Sequence, residues 1–133
     1  MTEAPARPAG VADRGEASAQ IVILTPLLIL LVLVGVQTAI YFHAANVASA
    51  AASQGAAAGA PMNAGSGAAV AVAMQTLHDL AATVASTPSA SDTGRTISVR
   101  VEVAVVHIVP FFPDSVTRIA TQPKERFIAE SDR

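Results

Sequence analysis

Residues 17–78 contain no Asp, Glu, Lys or Arg, and the early part of that stretch is almost wholly apolar. Residues 21–42 read IVILTPLLILLVLVGVQTAIYF, with Thr25, Gln37 and Thr38 as the only polar interruptions. As a helix these residues would cover roughly 33 Å, about the thickness of a bilayer hydrocarbon core. A chain inside lipid must satisfy its own backbone hydrogen bonds, so the run predicts a membrane-spanning helix. Pro26 lies near its N-terminal end, where the loss of one donor is tolerated. Tyr41 suits an interfacial position at the other end. Beyond Phe42 the Ala-rich sequence HAANVASAAASQGAAAGA contains no proline and favours helix. One continuous helix is expected over residues 17–57, its outer half beyond the membrane.

The pattern then breaks. PMNAGSG (residues 61–67) ends the first helix, and residues 68–86 predict a second, with Val72, Leu77, Leu80 and Val84 among its apolar positions. TPSASDTG (87–94) has the composition of a turn-rich linker. From Thr96 the period changes to two: Ile97, Val99, Val101, Val103 and Val105 alternate with Ser98, Arg100, Glu102 and Ala104, which predicts a strand over residues 96–109. PFFPD (110–114) is expected as a loop, and SVTRIAT (115–121) as a weaker strand pairing with the first in a hairpin. Arg100 and Glu102 share a strand face and are expected to be solvated. Phe111 and Phe112, adjacent aromatics between two prolines, fit either an exposed contact patch at the loop tip or a lid folded back over the long helix; the second is expected, since the small core has few other aromatics.

Charge fixes the direction of the span. Arg7 and Arg14 precede it and the next basic residue is Arg95. The positive-inside bias therefore places the N-terminus in the cytoplasm and the C-terminal part outside. A cleaved signal peptide is the alternative, and Ala48-Ser49-Ala50 supplies a small-residue cleavage pattern. A signal h-region usually holds only about 7–15 apolar residues, which argues for an anchor. Net charge is −2, and the eight Lys and Arg residues are scattered, so no nucleic-acid surface is expected. Cysteine is absent, which excludes disulfides and thiolate sites.

Catalytic constellations are equally lacking. His43, His78 and His107 have no metal-ligand spacing. Ser66, between Gly65 and Gly67, lacks the strand that precedes a nucleophile elbow. Gly55, Gly59, Gly65 and Gly67 lack the lysine or strand context of a nucleotide loop. Neither an enzyme nor a cofactor or metal site is expected. Small residues do recur at four-residue spacing: Gly35 and Ala39 in the span, then Ala44, Ala48, Ala52 and Ala56, with Ala45, Ser49, Ser53 and Ala57 beside them. Such rows permit close helix contact, and alanine also simply favours helix.

A short leader ending in Gly15 before a long hydrophobic helix is the layout of pilin-like precursors. DRGEASAQIVILTPLLILLVLVGVQTAIYFHAANVASAAASQGAAAG resembles the N-terminal half of TadE-like pseudopilins. The run ISVRVEVAVVHIVPFFPDSVTRIATQPKERF resembles their ending, with a terminal Arg126-Phe127 pair. The resemblance implies a role in tight-adherence, type IV-like pilus assembly at the bacterial cytoplasmic membrane, with pilin-like subunits or the assembly machinery as partners. It also implies a prepilin peptidase cutting after Gly15, which leaves Glu16 as the new N-terminus. Pilins usually carry Glu at the fifth mature position, where this chain has Gln20. A neutral amide can hydrogen-bond, but it cannot neutralise a neighbour's buried ammonium. A processed pseudopilin incorporated into a surface fibre and an uncleaved assembly protein therefore both fit.

The expected architecture is α+β: a single-span membrane protein with a long N-terminal pilin-like helix, a second helix and a small C-terminal β-hairpin. Residues 1–15 form a cytoplasmic leader. Residues 16–60 form the transmembrane helix and its extracytoplasmic extension, and residues 61–133 a small extracytoplasmic region. A membrane-anchored binding module unrelated to pili is the alternative function.

Overall fold

The structure is a computed structural model and describes residues 12–125, with side chains from Gln20 onward. Residues 1–11 of the expected leader, the Arg126-Phe127 pair and Ile128 lie outside the described residues. Helix α1 (Ala12–Gly59) is 48 residues long and starts ahead of the expected residue 17. The second helix, α2, covers Ser66–Asp79, and three strands follow: β1 (Val84–Asp92), β2 (Thr96–Ala104) and β3 (Ser115–Pro123). This is the α+β arrangement expected from the sequence, with one strand added to the hairpin.

The chain divides into two units after Val36. In the first, the apolar side chains at 21–33 and at Val36 are all exposed, around the whole helix circumference. A helix that is apolar on every side needs an apolar surrounding, and this one is long and apolar enough to cross a membrane. In the second unit α1 becomes one-sided. Ala44, Ala45, Val47, Ala48, Ala51, Ala52 and Ala56 are buried, while Asn46, Ser49, Ser53 and Ala57 face outward.

The buried stripe of α1 packs with α2 on one face of the sheet. Strand β2 lies in the middle, antiparallel to both neighbours. Its alternation is realised: Ile97, Val99, Val101 and Val103, and Val105 just beyond its end, are buried in the same core as Ala69, Ala73 and Leu77 of α2. Each such Val or Ile contributes about 1.5–3 kcal/mol relative to exposure. The alanines of α1 contribute less apiece, so they stabilise chiefly by letting the layers approach. Contact is closest at two glycines. A Cβ on Gly55 would lie 2.7 Å from the Ala69 carbonyl oxygen and 3.0 Å from Ala73 Cβ, and one on Gly59 would collide with the Ile97 side chain and Ala69 Cβ.

Three further boundaries depart from the sequence reading. Strand β2 stops at Ala104, not residue 109, because the backbone of Val106, Ile108 and Val109 bonds to the Gln37 side chain instead of a neighbouring strand. Helix α2 stops at Asp79, not Ser86, because Ala81 takes a left-handed conformation (φ 50°). The amides of Ala81 and Ala82 then donate to the carbonyls of His78 and Leu77, closing a Schellman ending. Glycine normally marks that position, and alanine leaves no such mark in the sequence. The expected linker 87–94 instead contributes most of β1. This edge strand pairs with β2 through two register shifts, on either side of Ser86, and Pro88 sits in the second of these irregular stretches. A bulge on an edge strand is one of the few sheet positions that tolerates proline.

The Gly55 contact yields a test. Gly55→Ala should destabilise the folded unit by about 1–3 kcal/mol despite alanine's better helix propensity, because the obstacle is backbone and cannot swing away. Gly67→Ala, where an added Cβ meets nothing within 4 Å, serves as the control and should be near neutral. Thermal unfolding of the two full-length variants in the same detergent measures both.

Candidate functional site

The most organised polar site in the folded unit centres on Gln37, the unit's first residue. Its side chain is fully buried. Nε2 donates to the Val106 carbonyl at 3.1 Å, and Oε1 accepts from the Ile108 amide at 2.6 Å and the Val109 amide at 3.4 Å. The carboxamide thus acts as a peptide group would in a neighbouring strand, satisfying backbone where the ladder has ended. The held segment belongs to the β2–β3 connection. Val105 still pairs across it, its amide donating to the Asp114 carbonyl at 2.8 Å, and residues 106–113 project as a loop. A further bond crosses the loop base, between His107 Nε2 and the Phe112 carbonyl at 3.1 Å.

This loop corrects one expectation. Phe111 does not fold back over the helix: it is fully exposed, with φ at 78°, and only Phe112 is partly covered. The four inward side chains of β2, with Val105 just after the strand, already fill the core, so the aromatic is not needed there. Sequence reasoning also treated Gln37 as a mere polar interruption of the span. Its signal was present, since a lone amide in a long apolar run needs partners. Packing against the folded unit accordingly begins at Gln37, with Ile40 and Tyr41 half-buried, rather than beyond Phe42.

The other singled-out residues are dispersed. Gly15 and Glu16 lie early in α1, and Gln20 is exposed on the same helix. Ala44, Ala48 and Ala52 are buried in the core of the folded unit. Gly35 and Ala39 remain exposed. His43 and His107 are exposed and sit on different elements; His78 pairs only loosely with Asp79 at 3.8 Å, both well exposed. Among the described residues no group of His, Cys, Asp or Glu is arranged to hold a metal ion. A cleft of about 160 Å³ lies beside Ile40, Val47, Leu80, Val103 and Val106. That is smaller than the roughly 300–1,000 Å³ typical of small-molecule sites.

Two carboxylates tie the sheet together. Asp92 accepts from Lys124 Nζ at 2.6 Å and from the Gly94 amide at 2.8 Å, and both interactions hold its carboxyl below the usual range. Lys124 also donates to the Ala64 carbonyl at 3.2 Å, fastening the end of β3 to the α1–α2 turn. On the outer sheet face Glu102 accepts from Ser115 at 2.7 Å and Ser86 at 2.8 Å, a bridge across all three strands. These bonds lower its pKa, with help from the Arg100 charge. Glu102 is therefore more than the merely solvated group expected.

Comparison with family models gives a match over residues 15–57, to the family described as TadE-like protein. Over this segment, about a third of its length, the chain is similar to that family. The matched residues lie entirely within α1, so they take in the apolar run and nearly all of the small-residue stripe. The TadE-like match supports a component associated with tight-adherence pili. No curated protein and no solved structure matches the chain.

The carboxylates predict a pH dependence. Both folded-state pKa values are lowered, so their stabilisation is present above the unfolded carboxylate range, roughly pH 4. It is lost as pH falls from there through the folded values. Denaturant unfolding between about pH 6 and 3 should show falling stability. Asp92→Asn and Glu102→Gln should each start less stable and show a shallower fall.

Proposed function

We propose that this chain is a TadE-like minor pseudopilin or membrane-anchored component of tight-adherence pilus assembly. The observation that carries the reading is the family match to a helix that is both apolar enough to span a bilayer and built into a folded domain. In this reading residues 21–36 hold the chain in the cytoplasmic membrane, with the N-terminus inside and the α+β unit outside. The protein works by packing and docking, not by catalysis. Its partners are pilin-like subunits or the assembly machinery, and a prepilin peptidase acts at Gly15-Glu16. Gln20 distinguishes it from a standard fibre subunit, because a neutral side chain there leaves a neighbour's terminal ammonium uncompensated.

Deletion and N-terminal sequencing test this together in the source cells. Loss of surface pili on deletion, restored by the intact chain, is the expected result. A membrane-isolated protein starting at Glu16, with Gly15→Leu blocking that cleavage, assigns the processed pseudopilin role. An intact N-terminus assigns the unprocessed assembly role. Undisturbed pili after deletion would contradict both.

A further inference from the structure

We infer that the loop of residues 106–113 is a membrane-contacting element that rests in the outer lipid interface beside the point where α1 leaves the bilayer. The inference rests on the membrane-anchored reading of α1.

Three observations place it there. The first is the Gln37 clamp. Three hydrogen bonds hold Val106, Ile108 and Val109 against the first residue of the folded unit. The loop is therefore fixed to Gln37, the residue that follows the all-round apolar run directly in the chain. The second is length. Residues 21–36 amount to about 24 Å of helix, and counting the uncharged residues from Ala17 gives about 30 Å. A hydrocarbon core is about 30 Å thick, so its outer boundary falls at Gln37 or slightly beyond it. Any tilt of the helix draws that level deeper.

The third observation is the loop's own chemistry. Val106 is 69% exposed, Ile108 45% and Phe111 fully exposed. Between Glu102 and Asp114 no residue carries a formal charge, and His107 is the only titratable group. His43, on the neighbouring turn of α1, is the other titratable group near this level. Phe111 also occupies the left-handed region (φ 78°), which disfavours a bulky residue. In water an outward phenyl held this way gains nothing, whereas at a lipid interface its apolar surface is buried. An uncharged loop with exposed Val, Ile and Phe matches a lipid surface better than an aqueous one.

The chain contains no tryptophan, so single substitutions give clean fluorescent reporters. The full chain is placed one copy per lipid nanodisc, with plain phosphatidylcholine or its analogue brominated high on the acyl chain. Phe111→Trp reports on the loop and Leu30→Trp on the span. Met62→Trp sits in the turn after Gly59, about 33 Å of helix beyond Gln37, and reports on water. The expected result is bromine quenching of Phe111→Trp by roughly twofold, as for an aromatic at the acyl boundary, with Met62→Trp unquenched. Phe111→Trp that escapes bromine but is quenched by aqueous iodide as strongly as Met62→Trp overturns the inference. If Leu30→Trp is still quenched in that case, the anchor stands and only the loop placement fails. If Leu30→Trp also escapes bromine, the anchored reading fails with it. Quenching of Phe111→Trp that appears only when two copies share a disc identifies a second chain as the occupant and overturns the lipid assignment.

Discussion

The structure depends on the close approach of α1 to α2 and β2 along a seam of alanine and glycine. The outer half of α1 has hardly any bulky side chain to bury, so its contribution to the core comes from proximity. At Gly55 and Gly59 the neighbouring groups lie so near that even a methyl group does not fit. This closeness lets Ile97, Val99, Val101 and Val103 of β2, and Val105 just after it, pack onto helical backbone, with Leu77 as the large apolar side chain that α2 adds. Glycine inside a helix usually costs about 1 kcal/mol relative to alanine, and the seam offsets that cost.

The same helix changes surroundings along its length, and Gln37 marks the change. Before it the apolar side chains point outward on every side; after it a stripe turns inward. A buried amide at that junction is costly unless every group is paired, and here a single side chain satisfies three backbone groups of the β2–β3 loop. The arrangement couples the start of the folded unit to the loop with the most exposed aromatic. The segment that matches the TadE-like family thus contains both the apolar run and the buried stripe of the folded unit.

Legibility in the sequence followed the strength of the physical signal. The long helix was plain because the absence of charge leaves it no other solvent. Strand β2 was plain because burial on one face enforces strict alternation, and β3 followed from it. Strand β1 was hidden: an edge strand with Pro88 at an irregular register and serines elsewhere has a linker's composition. The end of α2 was hidden because Ala81 adopts a conformation that only tertiary context makes tolerable. Phe111 defied the rule that aromatics go inside because the valines had already filled the core. Gln37 was visible as an anomaly, but its partners lie some seventy residues away, beyond what a local pattern can reveal. The row Ala44, Ala48, Ala52 and Ala56 was legible as a pattern, whereas the sheet and second helix it packs on were not, and the row Ser49, Ser53 and Ala57 faces outward.

The central claim is that the outer half of α1 is the core of the folded unit rather than a stalk that carries it. Amide hydrogen exchange on the full chain in lipid nanodiscs tests this directly. The account predicts that residues 44–59 of α1 and the amides of β2 exchange through one shared opening, with the same protection and the same response to denaturant. If β2 stays protected while those α1 amides exchange freely, or if α1 stays protected after the sheet has opened, the account is contradicted.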